Sequence, residues 1–239
     1  MENLRAIIDK FFITDNRWQY FTGGLATTLR VTAGALLIGL LIGVVVSIIR
    51  SSHDQINQKE LTPPARAVFW VLNTAARLYL TIIRGTPTLV QLLLIYFFFL
   101  QNVENKVTTA TIAFGINSGA YLAEIFRSGI MSIDKGQMEA GRSLGLSYTK
   151  TMRKIILPQA FKNALPALIN EIITLLKETS ICGYIGLNDL TRGAEIIGGA
   201  TYDQFVPLLA AALIYLAVVM FFTWIMGIVE RRLRESDRR

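Results

Sequence analysis

The stretch NALPALINEIITLLKET, residues 163–179, decides the fold. It carries Asn170, Glu171, Thr174, Lys177 and Glu178, and by hydropathy alone it is too polar to enter lipid. Its flanks give the answer. Before it lies a basic segment, 132–162, with six Lys and Arg; after it, beyond an apolar run at about 205–229, a tail from Arg231 holds five more. With Arg50, Lys59 and Arg66 in an earlier polar loop, fourteen basic residues fall on one side, against five in the N-terminal arm and two short opposite loops. Lys- and Arg-rich loops stay in the cytoplasm, so both flanks are expected inside. One apolar run between two cytoplasmic flanks cannot join them, and the polar stretch is expected to cross as well. Such a span must line the protein interior or a watery path, because its charges cannot face hydrocarbon.

The rest of the chain agrees with a membrane protein. Of 239 residues 52% are hydrophobic and 17% charged, with a mean hydropathy of +0.45, too apolar for an ordinary soluble domain. The net charge of +7 is explained by the cytoplasmic loops and needs no nucleic acid partner. One cysteine, Cys182, and one histidine, His53, exclude an internal disulfide and a His-cluster metal site. Residues 1–20 carry acids, aromatics and the apolar set Leu4, Ile7, Ile8, Phe11 and Phe12. They read as an extracytoplasmic amphipathic segment at the membrane interface rather than a signal peptide.

Clear spans are expected at about 25–49, 107–130 and 205–229. A further apolar run from Arg66 is too long for one straight crossing and is broken at Arg84-Gly85-Thr86-Pro87, where Thr86 is expected as N-cap of a restarted helix. The expected architecture is an all-α integral membrane protein with five transmembrane helices, N-terminus outside and C-terminus inside. Residues 21–232 form one domain with a cytoplasmic loop at 132–160, and 233–239 a basic tail.

That loop exceeds what a connector needs. Met138 to Leu144 favour a short helix closed by Gly145, and Ile155, Ile156 and Leu157 before Pro158 lead the chain back to the membrane. Spacing alone leaves two roles open: a helix anchored on headgroups through Lys150, Arg153 and Lys154, or a docking surface. No G-x-x-x-x-G-K-[ST] occurs, so ATP has no usual site here and energy must come from elsewhere. No catalytic constellation is found, so the chain is expected not to be an enzyme.

At depth, Asn117, Tyr121 and Glu124 share one helical face, with Asn117 near the midplane and Glu124 in the inner third. Counted from the inner end, Asn170 and Glu171 also reach the midplane, which makes Asn117 and Glu171 expected neighbours. Glu171 is a candidate to hold an ammonium or guanidinium group, with Asn117, Asn170, Thr174 and Gln91 supplying hydrogen bonds. Glu124 and Arg84 are candidates for the same path. The plainer alternative pairs Glu124 with Arg127 or Arg84, and Lys177 with Glu178, merely to neutralise charge.

Glu139-Ala140-Gly141, Gly145, Ile155, Leu157 and Pro158 stand at the spacing of the EAA loop of ABC importer permeases. With NSGAYLAEIFRSGI, ALINEIITLLKETS, GLNDLTR and RGTPTLVQLLLIYF, the chain resembles the polar amino acid permease family over nearly everything beyond the first span. The resemblance implies the type I importer permease fold in a bacterial inner membrane. It also implies that Glu139, Ala140, Gly141, Ser143, Leu144 and Gly145, with Leu157 and Pro158, couple to a separate ATPase. The implied partners are two nucleotide-binding subunits holding Mg-ATP, a second permease copy or paralogue, and an extracytoplasmic binding protein. No cofactor or metal of its own is expected. Gly141 departs from the alanine of that motif. The competing class is a secondary transporter driven by an ion gradient through Glu124 and Glu171.

Overall fold

The structure, a computed structural model, describes residues 4–55 and 62–237. Among them no strand occurs, and ten α-helices follow one another: α1 Leu4–Ile8, α2 Trp18–Gln55, α3 Pro63–Gly85, α4 Thr88–Leu94, α5 Lys106–Met131, α6 Lys135–Ser143, α7 Tyr148–Thr151, α8 Leu157–Glu178, α9 Leu190–Thr201 and α10 Phe205–Asp237. Lys59, residues 1–3 and 238–239 lie outside the described residues; the basic tail expected from 233 is the continuation of α10 as far as Asp237.

Two helices, α2 and α10, are long and apolar enough to cross a membrane, and a third span arises if α3 and α4 are one crossing bent through 110°. The 26 residues of α5 and the 22 of α8 have the length at ~1.5 Å per residue but lack the apolarity. The first span is longer than its apolar run: α2 continues to Gln55, because no Gly or Pro interrupts residues 50–55 and leaving hydrocarbon does not end a helix. Its successor starts at Pro63, three residues before the apolar run expected from Arg66, because Pro63 and Pro64 fit the first turn of α3, where no intrahelical N–H is needed.

The hub is α5. One of its faces packs on α2 through glycine: a Cβ on Gly115 would stand 2.7 Å from that of Ile38, one on Gly119 2.9 Å from that of Ile42, and one on Gly43 2.8 Å from that of Leu122. Two small-xxx-small ladders, Gly39/Gly43 and Gly115/Gly119, thus let the backbones approach to a distance that any side chain would forbid. Val31, Ala35, Ala110, Ala113 and Phe114 extend this contact into the largest apolar cluster. A second face, with Leu122 at its centre, takes Ala164 and Leu168 of α8. The third turns to α3 and α4, where Ala76 meets Ala123.

The segment 179–204, read from sequence as a short loop, contains α9. Its N-cap is Asp189, fully buried, whose carboxylate accepts from the backbone N–H groups of Thr191 and Arg192. Phe11 and Phe21 pack with Leu190, Ala194 and Ile197 of α9 and Ala211 of α10. The N-terminal segment therefore keeps Leu4 and Ile8 exposed while Phe11 is buried within the protein.

Candidate functional site

Three polar regions are arranged around α5. The first is the loop at its end. Asp134 caps α6, its carboxylate accepting from Gly136 N–H at 2.7 Å. At the other end Gly145 adopts φ +81°, the left-handed region that glycine enters without cost, and the N–H groups of Gly145 and Leu146 return to the carbonyls of Arg142 and Gly141. The helix expected at 138–144 is thus present, longer at its start. Gly141 is buried against Thr151 of α7, whose Cγ2 would lie 2.5 Å from an added Cβ. The departure from alanine is therefore a packing requirement rather than a loosened helix. Glu139, Ala140, Ser143 and Leu144 remain exposed, Leu144 to 82%. Leu157 and Pro158 are exposed at the start of α8. Between α6 and the returning chain lies a cleft of about 450 Å³, lined among others by Met138, Arg142, Tyr148, Met152 and Ile156. Burial raises the Tyr148 phenol above its ordinary range, so it stays a neutral hydrogen-bonding group.

The second region joins α5 to α8. Ser118 Oγ donates to Glu171 Oε1 at 2.8 Å. Beside it α8 leaves a polar stripe uncovered: Asn163, Ala167, Asn170, Thr174 and Lys177 are all exposed, at alternating steps of four and three residues. Glu171 is half-buried at the edge of that stripe.

The third region joins α5 to the broken helix. Asn117 Nδ2 donates to Gln91 Oε1 at 2.9 Å. Gln91 Nε2 lies 2.7 Å from Ile83 O, 3.0 Å from Thr86 O and 2.7 Å from Thr86 Oγ1. Further along, Glu124 pairs with Arg127 at 2.6 Å and with Arg84 at 3.7 Å, and the Arg84 guanidinium lies over the Tyr121 ring, 5.6 Å from its centroid. Arg50 reaches toward this group and donates to Asn73 Oδ1 at 2.7 Å.

The candidates therefore separate into two sets. Asn117, Tyr121, Glu124, Arg84 and Gln91 come together on one side of α5. Glu171, Asn170 and Thr174 belong to the other, and the neighbour that Glu171 bonds is Ser118, one residue from the expected Asn117. Successive helical residues point about 100° apart, so a one-residue step changes the partner helix. Ser118 went unread because a lone serine in an apolar span gives no signal without its partner.

Residues 64–235 match the family described as binding-protein-dependent transport system inner membrane component. Relatives similar to the chain include the arginine transport system permease protein ArtQ of Bacillus subtilis, 41% identical over 90% of this chain and 92% of that one. The putative glutamine transport system permease protein GlnP of Rickettsia typhi is 39% identical over 88% and 91%. The L-cystine transport system permease protein TcyB of Bacillus subtilis is 35% identical over 90% and 87%. Among solved structures, a chain of an amino acid ABC transporter crystallised with histidines superposes with a TM-score of 0.78 at 41% identity, covering 93% of this chain and 98% of that one. A chain of the inward-facing MetNI methionine ABC transporter, at 18% identity and a TM-score of 0.73 over 90% and 97%, shares the fold.

Proposed function

The chain belongs to the family of binding-protein-dependent transport system inner membrane components, and from that premise we propose that it is the permease subunit of an ATP-driven importer for polar amino acids, with a cationic side chain on the cargo. The observation that carries the coupling role is α6: a short helix held in shape by Asp134 and Gly145, packed inward through Gly141, and presenting Glu139, Ala140, Ser143 and Leu144 outward. A helix that is fixed from behind and bare in front transmits force to whatever grips it. The grip belongs to a separate ATPase, two copies per transporter, since the chain offers no phosphate-binding loop.

The membrane path follows from α8. Five helices in a bacterial inner membrane, N-terminus outside and C-terminus inside, place the exposed stripe Asn163 to Lys177 at hydrocarbon depth, where lipid cannot cover it. A second permease, a copy or a paralogue, completes the wall, and the polar seam between the two is the route for cargo. Glu171 is poised there by Ser118 to receive an ammonium or guanidinium group, with Asn170 and Thr174 beside it. Names among the relatives, arginine, glutamine and cystine transport, support an amino acid as cargo, and the carboxylate at the seam supports a cation. An extracytoplasmic binding protein delivers it, and the ATPases drive the change between outward- and inward-facing states.

Proteoliposomes test the reading. With the chain, its ATPase subunits, the binding protein and Mg-ATP inside or outside as sidedness requires, arginine uptake should depend on ATP and survive dissipation of proton and sodium gradients. Uptake by the chain alone, driven by an ion gradient, would replace this reading with a secondary transporter.

A further inference from the structure

The break between α3 and α4 removes two backbone hydrogen bonds, and two side chains supply them. In a continuous helix the N–H of residue 86 would reach Ile82 O and that of residue 87 would reach Ile83 O. Pro87 has no N–H, and the residue before a proline is forced out of the helical region; Thr86 accordingly sits at φ −123°, ψ 149°. Thr86 Oγ1 donates to Ile82 O at 2.8 Å instead, and Gln91 Nε2 donates to Ile83 O at 2.7 Å. Gln91 also serves Thr86 O and Thr86 Oγ1, so its two N–H groups are spent on the break. Its remaining oxygen takes the N–H of Asn117, which is 1% exposed; Gln91 itself is 8% exposed.

We propose that Gln91 is a positioning residue: it replaces the donor that Pro87 lacks, fixes the α3–α4 elbow at its 110° bend, and through Asn117 ties that elbow to α5 as one rigid unit. Since α5 runs into the loop bearing α6, a push on α6 moves α3, α4 and α5 together. Gln91 is then unavailable to cargo, and the inference rests on the transport reading only for its kinetic consequence.

The test uses the full complex with permeases, ATPases and binding protein. Spin labels at Ile82→Cys and Leu94→Cys, both exposed positions on either side of the elbow, should give one distance in the nucleotide-free state and the same distance when ATP is trapped with vanadate. A distance that differs between the two states overturns the rigid elbow, whatever the cargo. In arginine uptake, Gln91→Leu and Gln91→Met, neither of which can donate, should each lower the maximal rate by about tenfold, the loss expected of one buried hydrogen bond, with the half-saturating concentration of loaded binding protein unchanged. Gln91→Met keeps the length of the side chain without its amide, so a loss matching that of Gln91→Leu isolates the missing hydrogen bonds, rather than altered packing, as the cause. A raised half-saturating concentration at an unchanged maximal rate would make Gln91 a cargo contact and refute the proposal. If Gln91→Leu does not assemble, the distances in the protein with Gln91 intact decide. If the unsubstituted complex shows no ATP-dependent uptake, the transport reading fails while the distance test stands.

Discussion

At the scale of single residues, a one-position shift along α5 sorts the polar groups. Glu171 meets Ser118, and Asn117 meets Gln91, so the carboxylate at the seam has one hydroxyl donor and space beside Asn170 and Thr174. Replacing Glu171 by Gln removes the charge and keeps the shape. Uptake of arginine is expected to fall by at least about tenfold, the value of one charge-assisted hydrogen bond, with uptake of a neutral amino acid such as glutamine far less affected; equal uptake of both would dismiss Glu171 as the cation site. Glu124 differs in kind. Held by Arg127 and Arg84, it is already neutralised, and Glu124→Gln withdraws the negative charge that both guanidinium groups share. That variant should lose thermal stability, measured by unfolding of the detergent-solubilised complex, while Arg84→Gln, which removes the longer and more exposed contact, should lose little. Sequence was sufficient to offer Arg127 and Arg84 as partners of Glu124, and both meet it. It was insufficient to pair Glu171 and Asn117, because that pairing needs the rotation of α5 to better than one residue.

At the scale of elements, two helices depend on glycine for different reasons. Gly145 ends α6 in the left-handed region with open space around it, so Gly145→Ala meets no neighbour and suffers only the backbone penalty of roughly 1 kcal/mol. This should loosen the end of α6 and uncouple the machine: ATP hydrolysis continues while uptake per ATP falls, and insertion is unchanged. Hydrolysis and uptake that stay in proportion would return the loop to a membrane anchor. Gly119 is the opposite case. Gly119→Leu drives a side chain into Ile42 and the Tyr79 hydroxyl, and the protein should fail to accumulate in the membrane. The helical loop, the proline break and the apolar runs of α2 and α10 were legible, since each is written in local composition, whereas the clear span expected at 107–130 is the less apolar α5. The broken span's cap was read one position early: Pro87, not Thr86, precedes α4, and Thr86 turns its hydroxyl backward to Ile82. The glycine ladders on α2 and α5 and the whole of α9 were not legible, because small residues mean close packing only once the facing helix is known.

At the scale of the whole molecule, the proposed reading makes one chain half a wall. The exposed stripe of α8 and the bare front of α6 are the surfaces on which that reading sets a second permease and an ATPase. Both follow from the placement of α5, which packs α2 on glycine, α8 on Leu122 and the elbow on Asn117, and then carries its end to α6. The central claim is that force from an ATPase enters through α6. The most direct measurement is a photo-crosslinking residue in place of Leu144, 82% exposed at the tip of that helix, in the assembled complex. A covalent adduct with the nucleotide-binding subunit is expected, formed in inside-out vesicles. Adducts with lipid alone, or reactivity confined to the extracytoplasmic side, would contradict it.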